Sequence, residues 1–205
     1  MKSTLIFDLG GVYFNDGTRL AIDIIAARYG IDRQAVTGVL NGAAGAGYRT
    51  GRITVDQFWQ QAAALWHIHA TTEELSTIWC ESYQPNRGTV RLVERLKVAG
   101  HQILYLSDNT KERVDYLEKE YGFLKYFDDG VFSHLVGLKK PDTRIYELVF
   151  AKALHPAACV YIDDKPDLLV PARELGMQVI AFKNAVQLEA DLAGLGLPAD
   201  ESEPS

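Results

Sequence analysis

A short apolar run, Leu5-Ile6-Phe7, stops at a carboxylate, Asp8, and a glycine pair, Gly10-Gly11, follows at once. A run this short, bounded by glycine, is predicted to be a buried strand. Asp8 then stands at its carboxyl end, where open α/β sheets place ligands. A turn or capping aspartate is the plainer reading of this stretch alone. The pattern recurs downstream. Ile103-Leu104-Tyr105-Leu106 runs into Ser107-Asp108-Asn109, a short strand is expected near Val131-Phe132-Ser133, and Val160-Tyr161-Ile162 runs into Asp163-Asp164, with Asp167 close behind. A last strand is expected at Val179-Ile180-Ala181-Phe182. Helical stretches separate these runs, near 85–99, 111–121, 143–154 and 168–175, the last with Pro171 at its start. Strands alternating with helices specify βαβ units and a parallel, Rossmann-like α/β sheet with helices on both faces.

Between the first two strands lies a block with helical periodicity only. Leu20, Ile24, Ile25 and Tyr29 fall at helical spacing. Asp32 is placed to cap a second helix, Thr54 a third with Phe58, Trp59, Ala62 and Leu65 on one face, and Thr71 a fourth. Glu74 completes a capping box with Thr71, and Leu75, Ile78, Trp79 and Ser82 turn inward. Gly42 to Gly51 reads as a glycine-rich loop ending in Tyr48, Arg49 and Arg52. It lacks Gly-Lys-Ser/Thr and is no nucleotide P-loop. A connection is its plainer reading; the functional one is a substrate loop in which Arg49 reaches a sugar or an anionic group. His67 and His69, two apart on a helix, diverge and form no ligand pair. Trp59, Trp66 and Trp79 read first as core. The expected organisation is an α/β core from 1–15 and 85–197, an inserted helical cap from 16–84, and a polar, frayed tail from 198–205. Turn composition puts the joints near Asn15–Gly17 and Gln84–Gly88.

Composition narrows the function. Hydrophobic content is 47% and charged content 23%, as in soluble globular domains. The net charge of −6, without a basic run, argues against a nucleic-acid partner. No stretch is long enough to span a membrane, and the run before Asp8 is too short for a signal peptide. Cys80 and Cys159 have no motif spacing and read as buried thiols of a reducing compartment. The expected location is the cytoplasm.

The stretches IFDLGGV, LYLSDNT, GLKKPDTRIY and VYIDDKPD put Asp8, Ser107, Lys140 and Asp163-Asp164 at four strand ends in a fixed order. In that order they resemble the haloacid dehalogenase-like (HAD) hydrolase superfamily, in the subgroup with a helical cap inserted after the first strand. In isolation each piece has a structural reading: Ser107 as a helix cap, Lys139-Lys140 as a solvated pair, Asp163-Asp164 as caps of a helix near Pro166. Their convergence favours chemistry. A carboxylate can attack phosphorus and form an aspartyl-phosphate, which makes Asp8 the candidate nucleophile. Asp8 beside Asp163 and Asp164 is costly unless a cation sits among them, and oxygen ligands suit Mg²⁺. The resemblance implies Asp8, the Gly10 carbonyl and Asp164 as ligands, with Asp163 and Asp167 behind them. Ser107 and Lys140 offer donors to a transferring phosphoryl group, Asp108 and Asn109 behind Ser107 are further candidate substrate contacts, and Lys140 is expected to help keep Asp8 ionised.

One position departs from the family. Resembling phosphatases carry a second Asp two residues after the nucleophile, which protonates the leaving alkoxide and then deprotonates water. Here that residue is Gly10. Either a neighbour such as Asp16, Asp108 or a cap group takes over, or the substrate has a good leaving group such as a sugar 1-phosphate, or the protein is not a phosphatase. Halide leaves without a proton, and resembling 2-haloacid dehalogenases lack the second Asp and use no metal. The acidic cluster favours a Mg²⁺-dependent phosphatase of a small phosphorylated metabolite over that dehalogenase, and over a non-catalytic binding module.

Overall fold

The computed structural model describes residues 2–197 of the 205-residue chain. The expected tail lies outside the described residues. Five strands, β1 (Thr4–Phe7), β2 (Gln102–Ser107), β3 (Asp129–Phe132), β4 (Cys159–Asp163) and β5 (Gln178–Ala181), form one parallel sheet in the order β3-β2-β1-β4-β5. The sheet is covered on both faces because successive strand residues point to opposite sides. Leu5 and Phe7 pack with Leu92, Val93, Leu117, Leu188 and Leu192, which come from α6 (Arg87–Val98), α7 (Lys111–Tyr121) and α11 (Ala185–Gly194). Ile6 faces the other way, among Ile145, Tyr146 and Val149 of α9 (Thr143–Phe150) and Ala172 of α10 (Val170–Glu174). The strand order reverses beside β1, so the crevice at the carboxyl ends of β1, β2 and β4 is the topological switch point.

Helices α1 (Gly17–Tyr29), α2 (Arg33–Asn41), α3 (Ala43–Arg49), α4 (Val55–Trp66) and α5 (Thr72–Glu81) form the insert and share an apolar cluster of their own. Asp16, Asp32, Thr54 and Thr71 each accept a backbone N–H at a helix start. Both threonine caps close reciprocal boxes, with Gln57 and Glu74. The two linkers that lead into and out of these helices are stitched together. Asn15 N–H donates to the Gln84 carbonyl at 3.0 Å, Gln84 N–H to Asn15 Oδ1 at 2.9 Å, and Asn86 N–H to the Tyr13 carbonyl at 2.8 Å.

Several local expectations need correction. Gly42–Gly51 is not a loop: α3 occupies most of it, because Tyr48 is buried and stacks on Phe58 at 4.5 Å, and that packing overrides glycine's poor helix propensity. His67 ends α4 in the left-handed region (φ 54°), and His69 lies beyond it, so the pair does not share a helix. On α1 the buried face is Ala21, Ile22 and Ile25, while Leu20 and Ile24 are exposed; on α4, Leu65 is exposed. The stretch expected as one helix from 168 divides into a 3-10 turn, Pro166–Leu169, and the short α10.

Two glycines separate packing from propensity. A Cβ on Gly17 would run into the Tyr83 ring, whereas one on Gly38, exposed within α2, would meet nothing within 4 Å. Gly17→Ala is expected to cost about 1–3 kcal/mol. Gly38→Ala is expected to add about 0.5–1 kcal/mol of stability. Urea unfolding of both variants checks the opposite signs.

Candidate active site

Three backbone positions at the strand ends set the site. Asp8 follows β1 directly, and its N–H donates to the Ile162 carbonyl at 2.8 Å, which fixes the nucleophile candidate against β4. Ser107 ends β2 and Asp163 ends β4. Lys140 is not at a strand end. It sits in the loop between α8 (Ser133–Val136), which follows β3, and α9. Its N–H donates to Asp108 Oδ1 at 3.0 Å, which anchors that loop to the end of β2.

The Lys140 ammonium is buried. It lies 2.9 Å from Asp8 Oδ1 and 2.7 Å from Asp163 Oδ2, and it donates to the Tyr161 hydroxyl at 3.2 Å. Tyr161 in turn donates to Asp163 Oδ2 at 2.5 Å. Burial would discharge the ammonium, but Asp163 and Asp8 outweigh it and raise its pKa well above the ordinary lysine value. For Asp163, burial pushes upward, yet Lys140, Tyr161 and the Lys165 N–H prevail and hold the carboxyl below its usual range. For Asp8 the balance reverses. Burial, with the charges of Asp163 and Asp164, outweighs Lys140 and lifts its pKa to about 7. Lys140 does favour the ionised form of Asp8, as expected, but the lysine is shared and Asp163 is its nearer partner.

Asp8, Asp163 and Asp164 each bring a carboxylate oxygen within 4.8 Å of the others. Asp163 is fully engaged, since its Oδ1 accepts from Lys165 N–H at 2.9 Å. Asp164 Oδ1 is buried with no hydrogen-bond partner among the described residues, and burial raises that carboxyl's pKa. Gly11 makes room for it. At φ 93°, a side chain there would collide with the Asp164 carboxylate. An orphaned carboxylate oxygen beside two more carboxylates, with one ammonium among them, fits a hard divalent cation. Asp167 is exposed on the 3-10 turn and lies outside this cluster.

A cavity of about 490 Å³ opens above the strand ends, lined by Asp8, Gly10, Ser107, Asp108, Asn109, Lys140 and Arg49 among others. The Ser107 hydroxyl makes no hydrogen bond among the described residues, and the N-cap position of α7 falls at Thr110, three residues on, so Ser107 is not a helix cap. Asn109 is committed to structure: its Oδ1 accepts from Thr110 N–H and from Arg113 Nε. Asp16 and Asp108 also line the cavity, but each already accepts a backbone N–H. The sequence reading missed Tyr83, Arg113 and Tyr161. Tyr161 stands two residues before Asp163, on the same face of β4, and that spacing was available. Tyr83 packs near Gly10, its ring 3.6 Å from where a Cβ there would stand, and its hydroxyl joins Thr18 Oγ1 at 2.5 Å and Arg113 NH1 at 2.8 Å.

Residues 2–176 match the family model for haloacid dehalogenase-like hydrolases. Flavin mononucleotide hydrolase 1 of Arabidopsis thaliana, a chloroplast protein, is 39% identical over 66 residues, which span 32% of this chain and only 27% of that relative. A HAD family enzyme of Bacteroides thetaiotaomicron, bt-2542, solved with magnesium and inorganic phosphate, superposes with a TM-score of 0.72 at 20% identity, over 90% of this chain and 96% of that one. A HAD-like hydrolase of Porphyromonas gingivalis superposes with a TM-score of 0.77 at 18% identity, over 95% and 98%. Among the described residues, no helix is long and apolar enough to cross a membrane.

Removing Lys140 strands two buried carboxylates. Lys140→Met is expected to lose about 3–5 kcal/mol at pH 7. The deficit should shrink toward pH 5. In the variant, Asp8 and Asp163 have folded pKa values above their unfolded ones, so acid favours the folded state. In the parent, Asp8 is raised too and acid favours the folded state through it, but Asp163 stays depressed and adds nothing in this range, so the parent gains less than the variant. Urea melts at several pH values check this, and a deficit that grows in acid would refute it.

Proposed function

The chain belongs to the haloacid dehalogenase-like hydrolase family, and on that premise we propose that it is a Mg²⁺-dependent phosphatase of a small phosphorylated metabolite, working through an aspartyl-phosphate on Asp8. The observation that carries this reading is the buried, unpartnered Asp164 Oδ1 within the Asp8–Asp163–Asp164 cluster. A metal-independent dehalogenase would leave that oxygen without a partner. A relative named for flavin mononucleotide hydrolysis and a fold neighbour holding magnesium and phosphate support the reading.

Asp8, Asp164 and the Gly10 carbonyl would hold the cation, with Asp163 behind them and Asp167, outside the cluster, reaching it only through water. When bound, Mg²⁺ supplies positive charge to the phosphoryl oxygens and to Asp8. Asp8 attacks phosphorus while Ser107 and Lys140 donate to the phosphoryl oxygens, where charge develops. Lys140 also fixes Asp8 and Asp163 in place, and Asp108 and Asn109 shape the turn against which the phosphate rests. Helices α1–α5 act as a cap that excludes water and carries Arg49 to the leaving part of the substrate. Gly10 offers no proton to that leaving part, so the enzyme favours groups that depart unaided, such as those of sugar 1-phosphates.

Phosphate release should require Mg²⁺, stop with EDTA and fall at least about 10³-fold in Asp8→Asn. Release that persists in that variant, or in EDTA, sinks the reading. The leaving-group argument has its own test. A Cβ at position 10 meets only Tyr83, at an ordinary 3.6 Å, so an aspartate can be placed there. Gly10→Asp is expected to raise turnover of alkyl phosphates at least about tenfold, with a smaller change on aryl phosphates. Equal effects on both would show that the missing acid does not set the preference.

A further inference from the structure

Two arginines meet in the cavity, and neither is in an ion pair among the described residues. Arg113 of α7 is almost fully buried. Its Nε donates to Asn109 Oδ1 at 2.5 Å, its NH1 to the Tyr83 hydroxyl at 2.8 Å and its NH2 to the Asp108 carbonyl at 3.3 Å. Arg49 of α3 donates from NH1 to the Leu40 carbonyl at 2.7 Å. Every one of these acceptors is neutral. Both guanidinium groups lie against one ring, Trp79, at 5.2 Å for Arg49 and 4.8 Å for Arg113. No carboxylate lies within 4.0 Å of either among the described residues, although exposed Arg33 and Arg144 each have one. Burial, and then the charge of Arg113, lowers the pKa of Arg49, and the more distant Asp108 carboxylate offsets this only in part. Two like charges held together at a buried ring destabilise the folded state unless an anion joins them.

The phosphoryl site does not answer to this pair. Its buried ammonium, Lys140, is already shared between Asp8 and Asp163. Tyr83 separates the arginines from Gly10, with its ring toward Gly10 and its hydroxyl on Arg113. Arg49 comes from the insert and Arg113 from the core, yet both line the cavity that holds Asp8 and Ser107. Each guanidinium has five donors, and the bonds above leave N–H groups on both for a bidentate acceptor.

We propose that Arg49 and Arg113 form a second anion subsite, which receives a carboxylate or a second phosphate carried on the leaving part of the substrate. The proposal rests on the phosphatase reading and narrows its substrate class to phosphate esters with a further negative group. An anion there also bridges insert and core, because each supplies one arginine.

The test uses matched esters, phenyl phosphate and 3-carboxyphenyl phosphate, whose leaving groups are closely alike. In the parent enzyme with Mg²⁺, kcat/KM is expected to favour the carboxylated ester by at least about tenfold. In Arg49→Met, and in Arg113→Lys, which keeps the charge but loses the planar fork, that ratio should fall toward one. A ratio near one in the parent, or a ratio unchanged in variants that stay folded by circular dichroism, overturns the proposal. Failure of the phosphatase reading is separated by calorimetry with two non-hydrolysable probes, phosphonoacetate and methylphosphonate. Tighter binding of phosphonoacetate, by at least about tenfold and lost in Arg49→Met, supports the subsite even where neither ester is cleaved. Equal affinity for the two probes rejects it.

Discussion

One buried ammonium holds the strand ends together. Lys140 arrives on a loop from beyond β3, yet its Nζ reaches Asp8 after β1 and Asp163 at the end of β4. Its backbone N–H grips Asp108 after β2. Four segments far apart in sequence are thus fixed by one residue. The arrangement is costly on its own terms, since three charges are taken from water and only the geometry compensates. It leaves net negative charge at the crevice, with Asp164 facing it unpartnered. The electrostatics that lock the scaffold are therefore the same electrostatics that call for a cation and an anionic ester.

The parts of the fold legible in sequence were those with a local cause. The strands show as short apolar runs with polar ends, and α7 matches its expected span because a clear periodicity runs from Lys111 to Tyr121. The caps at Thr54 and Thr71, and the box that Glu74 closes on Thr71, follow from spacing alone. Legibility fails where packing decides. Helix α3 forms in a glycine-rich segment because Tyr48 has an aromatic slot waiting for it. The buried side of α1 slips by a position, because both faces of that helix carry apolar residues and only its neighbours choose between them.

The site divides along the same line. Asp8, Ser107 and Asp163 stand where strands end, and a strand end can be read from a dozen residues. The shared state of Lys140 cannot, because it depends on which of two carboxylates is nearer. Tyr83 and Arg113 were invisible for another reason. Their roles arise only when the exit of the insert folds against the first turn of α7, 30 residues apart in sequence. Asn109 marks the contrast. It reads as a substrate contact by its place after Ser107, and the bond from Arg113 to its amide oxygen is not legible there.

The paired linkers have a consequence for ancestry. The chain enters the insert just after Phe14 and leaves it at Pro85, and these two residues sit opposite each other in an isolated antiparallel bridge. To the sheet, everything between them is a side excursion through a single doorway, with Asn15 and Gln84 bonded across the threshold. A lineage can therefore lengthen, shorten or exchange what lies beyond that doorway without disturbing a single rung of the ladder behind it. The catalytic floor is inherited whole, and the chamber above it is open to revision.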